Sequence, residues 1–343
     1  MLLIQTAYVD KINAAGTGDE LIQLVQGAAQ LEFATIPPYL TAMLSLKPGT
    51  NREIWQILHS VVIEEMLHMT INCNLISALG GGAKIDDPSF VPRYPTHLPM
   101  AVNSGLEVPL QAYSVTAVRD VFMKIEAPET PLVFPFDAGP KPYATIGQFY
   151  RALADKIKEL GKSIFVGDPS RQLDAPTWFG DRLTPMRKPD DAIAAIEALV
   201  EEGEGTSTSP LDEEEEIAHY YRFEQLLHGR LLVPDKTVPQ GFAFTGEPIP
   251  FDAAGVYPLL PNQRLDALPP DSQVYRVASQ FAFVFTKLLK SLHQTFNGTP
   301  GAFDSAMGLM FELRLVGQKL CSLPAGDGVH HAGPVFEYVT QAG

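Results

Sequence analysis

The sequence predicts a mainly all-α protein: a four-helix bundle with a second helical hairpin and long Pro-rich and short-strand insertions. Three observations predict it. Apolar residues recur at helical spacing through two long runs near the start and two more near the end. Glu and His interrupt some of those apolar faces at spacings that keep them on one side of a helix. Proline is in excess, 29 residues of 343, or about 8% against ~5% on average, and it gathers between the helical runs.

The first run extends from Asp19, an N-cap candidate, to about Ser45, with Leu21, Val25, Ala28, Ala29, Ile36, Tyr39 and Met43 in register. The second, Arg52 to Leu79, carries Ile54, Ile57, Leu58, Val61, Ile71 and Leu75 and stops at Gly80-Gly81-Gly82. Lys47-Pro48-Gly49 joins the two as an antiparallel hairpin. Residues 84–112 hold five prolines without a sustained period and read as a long loop, followed by short helices at 114–125 and 145–160. Asp190 to Glu204 reads as a third bundle helix and 206–210 as a turn. Asp212 to about Leu232 reads as a fourth, with acids in its first turn. Residues 233–262 alternate Val, Phe and Ile with Pro and Gly, as a small strand insertion would. Residues 272–296 and 302–322 form the second, apolar hairpin. The expected organisation is one domain over 15–325, with insertions at about 84–189 and 233–270, and a tail at 326–343.

Composition narrows the function classes. With 45% hydrophobic residues the chain can bury a sizeable core. Forty acidic against 25 basic side chains give a formal charge of −15, which argues against nucleic acid or an anionic membrane as partner. No apolar run reaches the ~18–20 residues that span a bilayer. The opening MLLIQTAYVDK has no basic segment before its apolar residues and makes a poor signal peptide. Cys73 and Cys321 sit in apolar surroundings and read as small core residues of a cytoplasmic protein. There is no G-x-S-x-G, P-loop or C-x-x-C, and no G-x-G-x-x-G after a strand.

The chemistry lies in two E-E-x-x-H strings, Glu64-Glu65-Met66-Leu67-His68 and Glu215-Glu216-Ile217-Ala218-His219, 151 residues apart. Glu65 with His68, and Glu216 with His219, stand three residues apart, so each pair can close on one ion. At 100° per residue both pairs fall on apolar stripes, where a carboxylate is costly unless something compensates it. A divalent metal is the compensation that suits these residue types. Glu32 sits at the centre of the first helix's apolar stripe. It lies 16 residues before Pro48, and Glu65 lies 17 after it, so the hairpin sets them at one height. A Glu from one helix and Glu-x-x-His from its partner make half of a carboxylate-bridged dimetal site.

The other half needs a Glu from the third helix. Angle favours Glu204 over Glu201, and height in the hairpin favours Glu201; the two criteria conflict, and we take Glu204. Glu64 and Glu215 read as supporting or solvated residues. His59, His97, His228, His293, His330 and His331 read as surface or satisfied histidines, and Tyr39, Tyr220 and Tyr221 as packing groups. Pro37-Pro38, one turn beyond Glu32, either ends the helix or bends it beside the metals.

These residues resemble a known family. The strings LEFATIPPYLTAML (31–44), VVIEEMLHMTINCNLISALGG (61–81), AIEALVEEGEGT (195–206) and HYYRFEQL (219–226) look like the ferritin-like domain family of iminophenyl-pyruvate dimer synthase, which includes the related parts of violacein- and rebeccamycin-pathway enzymes. FMKIEAPE (122–129) and FTGEPIPFD (244–252) are similar too. The resemblance implies a ferritin-like core, and it supports Glu32, Glu65, His68, Glu204, Glu216 and His219 as the metal-facing set. Pathway members couple two imines of aromatic 2-oxo acids oxidatively.

The expected function is a metal-dependent oxidoreductase with two divalent ions, iron first and manganese or zinc also suited. It would act with O₂ or peroxide on a small organic substrate. Glu65 and Glu216 would bridge or chelate, Glu32 and Glu204 would cap each ion, and His68 and His219 would each supply an imidazole. The 84–112 loop and the 233–262 insertion would wall a substrate pocket. Ferroxidase or storage activity, and a non-catalytic metal-binding protein, are the alternatives; a homo-oligomer is compatible with either.

Overall fold

Thr17 begins the architecture by capping the long helix that carries Glu32. The structure, a computed structural model, describes residues 6–102, 105–128, 146–204, 209–212 and 215–340, and the side chains of Thr6, Ala101 and Glu204 lie outside that description. Helix α1 is Thr6–Ala14 and α2 is Gly18–Ser45. The Glu20 N–H donates to Thr17 Oγ1, and the Thr17 N–H donates to the Glu20 carboxylate at 3.1 Å. This reciprocal cap satisfies two otherwise orphaned donors. Asp19, expected as the cap, lies instead in the first turn, where its charge meets the positive end of the helix.

Pro37 and Pro38 lie inside α2, which continues for seven residues beyond them. Each proline lacks an N–H, so the carbonyls of Phe33 and Ala34 lose their helical donors. The 84–112 segment repairs one of them: the Tyr94 hydroxyl donates to the Ala34 carbonyl at 2.8 Å, in a buried position. The same segment lays the Ser89 and Phe90 carbonyls on the Gln30 amide at 3.0 Å. That long loop therefore braces the stretch of α2 around Glu32.

Helix α3, Arg52–Ala78, packs antiparallel on α2 as expected and ends at Gly80, whose φ of +89° lets the chain turn away. The turn between them is clamped by the 233–270 segment. Asn51 exchanges two hydrogen bonds with the Asp252 backbone, and the Lys47 N–H donates to the Gly255 carbonyl at 2.8 Å. A Cβ on Gly255 would fall 2.6 Å from Thr50 Oγ1, so this approach requires glycine. Two-residue strands β1 (Val233–Pro234) and β2 (Phe242–Ala243) pair antiparallel nearby in sequence.

Helix α4 covers 115–125, with Val118–Phe122 wound in the wider π form. Helix α5 is Ile146–Leu160, α6 is Pro189–Glu204 and α7 is His219–His228. Two expectations are corrected here. The fourth bundle helix does not begin at Asp212: residues 215–218 precede the helix, and α7 starts at His219. The third helix exists, but it packs mainly on α5, while α7 packs on α4. Helix α1 and a single turn at Pro176–Phe179 had no counterpart in the sequence reading.

Helices α8 (Gln273–Phe296) and α9 (Phe303–Cys321) form the second hairpin as expected. It lies on the α2–α3 pair and encloses a cavity of about 420 Å³ lined by Phe33, Met43, Met66, Leu289 and Met307, among others. Pro37 lines this cavity, but no residue of 84–112 or 233–262 does, contrary to expectation. Cys73 and Cys321 are buried and unpaired. No helix among the described residues is long and apolar enough to cross a membrane. The Tyr94 bond gives a direct expectation. Tyr94→Phe should destabilise the fold by about 1–3 kcal/mol, the cost of an unpaired buried carbonyl, measured as a lower denaturant midpoint.

Candidate metal centre

Glu65 and His68 lie one turn apart on the same side of α3, both buried. Across from them His219, the first residue of α7, is fully buried. One ligand atom from each of these three residues lies within 4.8 Å of the other two. His219 Nδ1 is 3.0 Å from Glu65 Oε1 and 3.6 Å from Glu126 Oε2. Yet this buried nitrogen makes no well-formed hydrogen bond among the described residues. The rings of His68 and His219 stack at 5.4 Å.

The other nitrogen of each imidazole is held by a carboxylate. His219 Nε2 is 2.8 Å from Glu64 Oε2, and His68 Nε2 is 3.0 Å from Glu202 Oε2. This leaves Nδ1 of each ring as the atom available to an ion. A carboxylate behind the imidazole is how metal-binding histidines are oriented and made more basic. Behind those carboxylates stand two guanidinium groups. Arg222 donates to Glu64 at 2.9 Å, and Arg182 lies 3.8 Å from Glu64 and 3.6 Å from Glu202.

Three further side chains complete the chamber. Glu32 on α2 accepts from the Tyr150 hydroxyl at 2.5 Å, and Tyr150 accepts in turn from the Asn72 amide at 2.8 Å. Thr35 donates to Glu65 Oε2 at 2.8 Å. Glu126, at the C-terminal end of α4, accepts from the buried Tyr39 hydroxyl. Glu65 therefore stands between Glu32 and His68 on one side and Glu126 and His219 on the other.

The electrostatics follow from this crowding. Burial, and then the Glu65 charge, push the Glu32 carboxyl up to about 8. Burial and the Glu65 charge also raise Glu126. Burial would raise Glu64 as well, but the His219 hydrogen bond and charge and the Arg222 guanidinium outweigh it and hold the carboxyl down at about 2. Both imidazoles go up despite burial: the Glu202 bond and the Glu65 charge raise His68, and Glu126, Glu64 and Glu65 raise His219. Among the described residues, five carboxylates (Glu32, Glu64, Glu65, Glu126 and Glu202) face two guanidiniums, a shortfall of three positive charges. Protons can fill it, or divalent cations can. The mixed carboxylate–imidazole donor set and the orphaned His219 Nδ1 fit a transition metal.

A profile of the Ferritin-like family matches residues 25–228, a span holding Glu32, Glu65, His68, Glu126, Glu202 and His219. The chain belongs to the ferritin-like family. Among solved structures, this ferritin-like chain resembles that of a ferritin-like protein from Caulobacter vibrioides, with a TM-score of 0.59 and 22% identity over 93% of this chain and 97% of that one. That likeness concerns the fold. No curated protein matches the chain.

The sequence-predicted set divides on inspection. The structure brings Glu65, His68 and His219 together and sets Glu32 against Glu65. It does not bring Glu216 to them: Glu216 is 57% exposed and bonds Arg222 at 3.2 Å. The physical reason is local. Asp212 accepts the Glu216 N–H at 2.8 Å and donates its own N–H to the Glu216 carbonyl, closing a turn in competition with the helix. The Glu204 side chain lies outside the described residues. Glu126 and Glu202 were missed. Glu202 follows the buried stripe Ala192, Ile196, Leu199, a face turned away from the one on which angle favours Glu204. Glu126 is an acid at the end of a short helix with Lys124 two residues before it, a local pattern too common to single out, and its one signal was its place in the FMKIEAPE string of the family resemblance.

Two outcomes are expected. Glu126→Ala should lower bound metal, measured by elemental analysis, while Glu216→Ala leaves it unchanged. Metal uptake at pH 7 should release protons into unbuffered solution, because Glu32, His68 and His219 are raised in the metal-free protein. The sign is fixed: protons compete with the ion, so affinity weakens as pH falls below about 8.

Proposed function

We propose that this ferritin-like chain is a metal-dependent oxidoreductase. It holds two divalent ions, iron in the working protein, and acts with O₂ or peroxide on a small organic substrate. The observation that carries the reading is the position of Glu65, a buried carboxylate shared between two Glu/His groups in a chamber short of positive charge. Glu32, Glu65 and His68 would hold one ion, and Glu65, Glu126 and His219 the other. Iron suits this ligand set and supplies electrons to O₂ or peroxide when bound.

The chain's own residues do the rest. Glu64 and Glu202 fix the tautomer and direction of the two imidazoles. Tyr39 and Tyr150 are pushed well above the usual phenol range, by burial and then by Glu126 and Glu32 respectively. They therefore stay protonated and donate to those carboxylates, fixing the oxygens and keeping water from them. The resemblance to iminophenyl-pyruvate dimer synthase supports an aromatic 2-imino or 2-oxo acid as the substrate class. One observation favours a second reading, ferrous-ion handling: the 420 Å³ cavity shares no residue with the cluster.

Elemental analysis should find about two transition ions per chain, and His68→Ala or His219→Ala should deplete them without unfolding the protein. Oxygen uptake by the iron-loaded chain should then depend on an added aromatic 2-oxo acid with ammonia. Ferrous oxidation alone, with no organic turnover, would select metal handling; absence of bound metal would sink both.

A further inference from the structure

The cavity between the two hairpins lies on the far side of α2 and α3 from the metal centre. Glu65 and His68 face one way from α3, while Val62, Met66 and Met69 line the cavity on the other. Its walls are almost wholly Phe, Leu, Ile and Met side chains, with few polar groups among them. Thr70 is satisfied, donating to the Met66 carbonyl at 2.7 Å. His59 and Arg314 have no such partner among the described residues. His59 stacks on Trp55 at 4.6 Å, and no group among the described residues hydrogen-bonds its ring nitrogens. Arg314 has a buried Nε with no partner, and no carboxylate among the described residues pairs with its guanidinium.

An unpaired guanidinium is conspicuous in a chain that carries −15 overall. Acids outnumber bases, yet none among the described residues is set against this one. A buried N–H left without an acceptor costs on the order of 1–3 kcal/mol, and a charge-assisted bond to a carboxylate would recover it. At the cavity's edge Trp178 is 41% and Phe311 50% exposed, and Leu315 beside them on α9 is 62% exposed. Apolar residues thus frame an opening through which a tail could enter. The guanidinium of Arg314 stacks over the Phe311 ring at 5.8 Å, which holds the charge at the lining.

We infer that this cavity binds a free monocarboxylate with an unbranched apolar tail. Arg314 takes the carboxylate, with His59 as a second polar contact, and the tail lies along Met66, Met69, Leu289 and Met307. One guanidinium matches one singly charged, planar carboxylate better than a phosphate of higher charge. The volume sets the length: about 420 Å³, at roughly 30 Å³ per water-sized group, holds ~14 non-hydrogen atoms, the size of dodecanoate. This site stands apart from the proposed oxidation chemistry and does not depend on it.

Calorimetric titration of the metal-loaded, delipidated chain with dodecanoate tests it. The expected result is saturable binding at one site per chain, with dodecan-1-ol at least about tenfold weaker for want of the charge. Arg314→Met should lose about the same factor for dodecanoate and none for dodecanol, with metal content unchanged. Should Arg314→Met not fold, the acid–alcohol comparison on the unaltered chain decides alone. No saturable dodecanoate binding, or equal affinity for acid and alcohol, overturns the assignment. So does a stable dimer in sedimentation that excludes dodecanoate and is dissociated by Leu315→Glu, which would make a second copy the occupant.

Discussion

The structure turns on a buried excess of negative charge. Among the described residues, five carboxylates converge on a chamber that two guanidiniums supply, and each would be costly to ionise there alone. The molecule meets this in layers. Arg182 and Arg222 neutralise from behind, Glu64 and Glu202 pass that support to the imidazoles, and the innermost acids are left for cations. Without such cations protons take their place, in keeping with the raised Glu32, His68 and His219.

Much of the remaining chain serves to hold that chamber in place. Helix α2 delivers Glu32, Thr35 and Tyr39 to it, and the Pro-rich loop supports its Pro37-Pro38 stretch through Tyr94. Tyr150 reaches Glu32 from α5, within the long insertion. Parts that the sequence suggested as walls of a substrate pocket thus act as braces. The cavity between the two hairpins lies on the other side of α2 and α3, with Arg314 at its lining.

What was legible in the sequence follows from how each element is stabilised. The α2–α3 hairpin could be read because a long, regular apolar stripe makes Glu32, Glu65 and His68 conspicuous, and their heights match across one short turn. His219 was found for the same reason. Its supposed partner Glu216 was not where the repeat placed it, because E-E-x-x-H reads as helix while Asp212 closes a turn that delays the helix to His219. Glu126 and Glu202 depend on contacts made over long sequence distances. Their local sequence, an acid at a helix end and an acid among acids, looks like ordinary solvated charge. The asymmetry between the two halves of the site is therefore tertiary, and spacing could not disclose it.

Anomalous scattering from crystals of the iron-loaded protein tests the central claim most directly, because it reports element and ligands together. The account predicts two peaks flanking Glu65, one beside Glu32 and His68 and the other beside Glu126 and His219, with Glu216 remote from both. A chamber without anomalous density, or a peak ligated by Glu216 in place of Glu126, would contradict it.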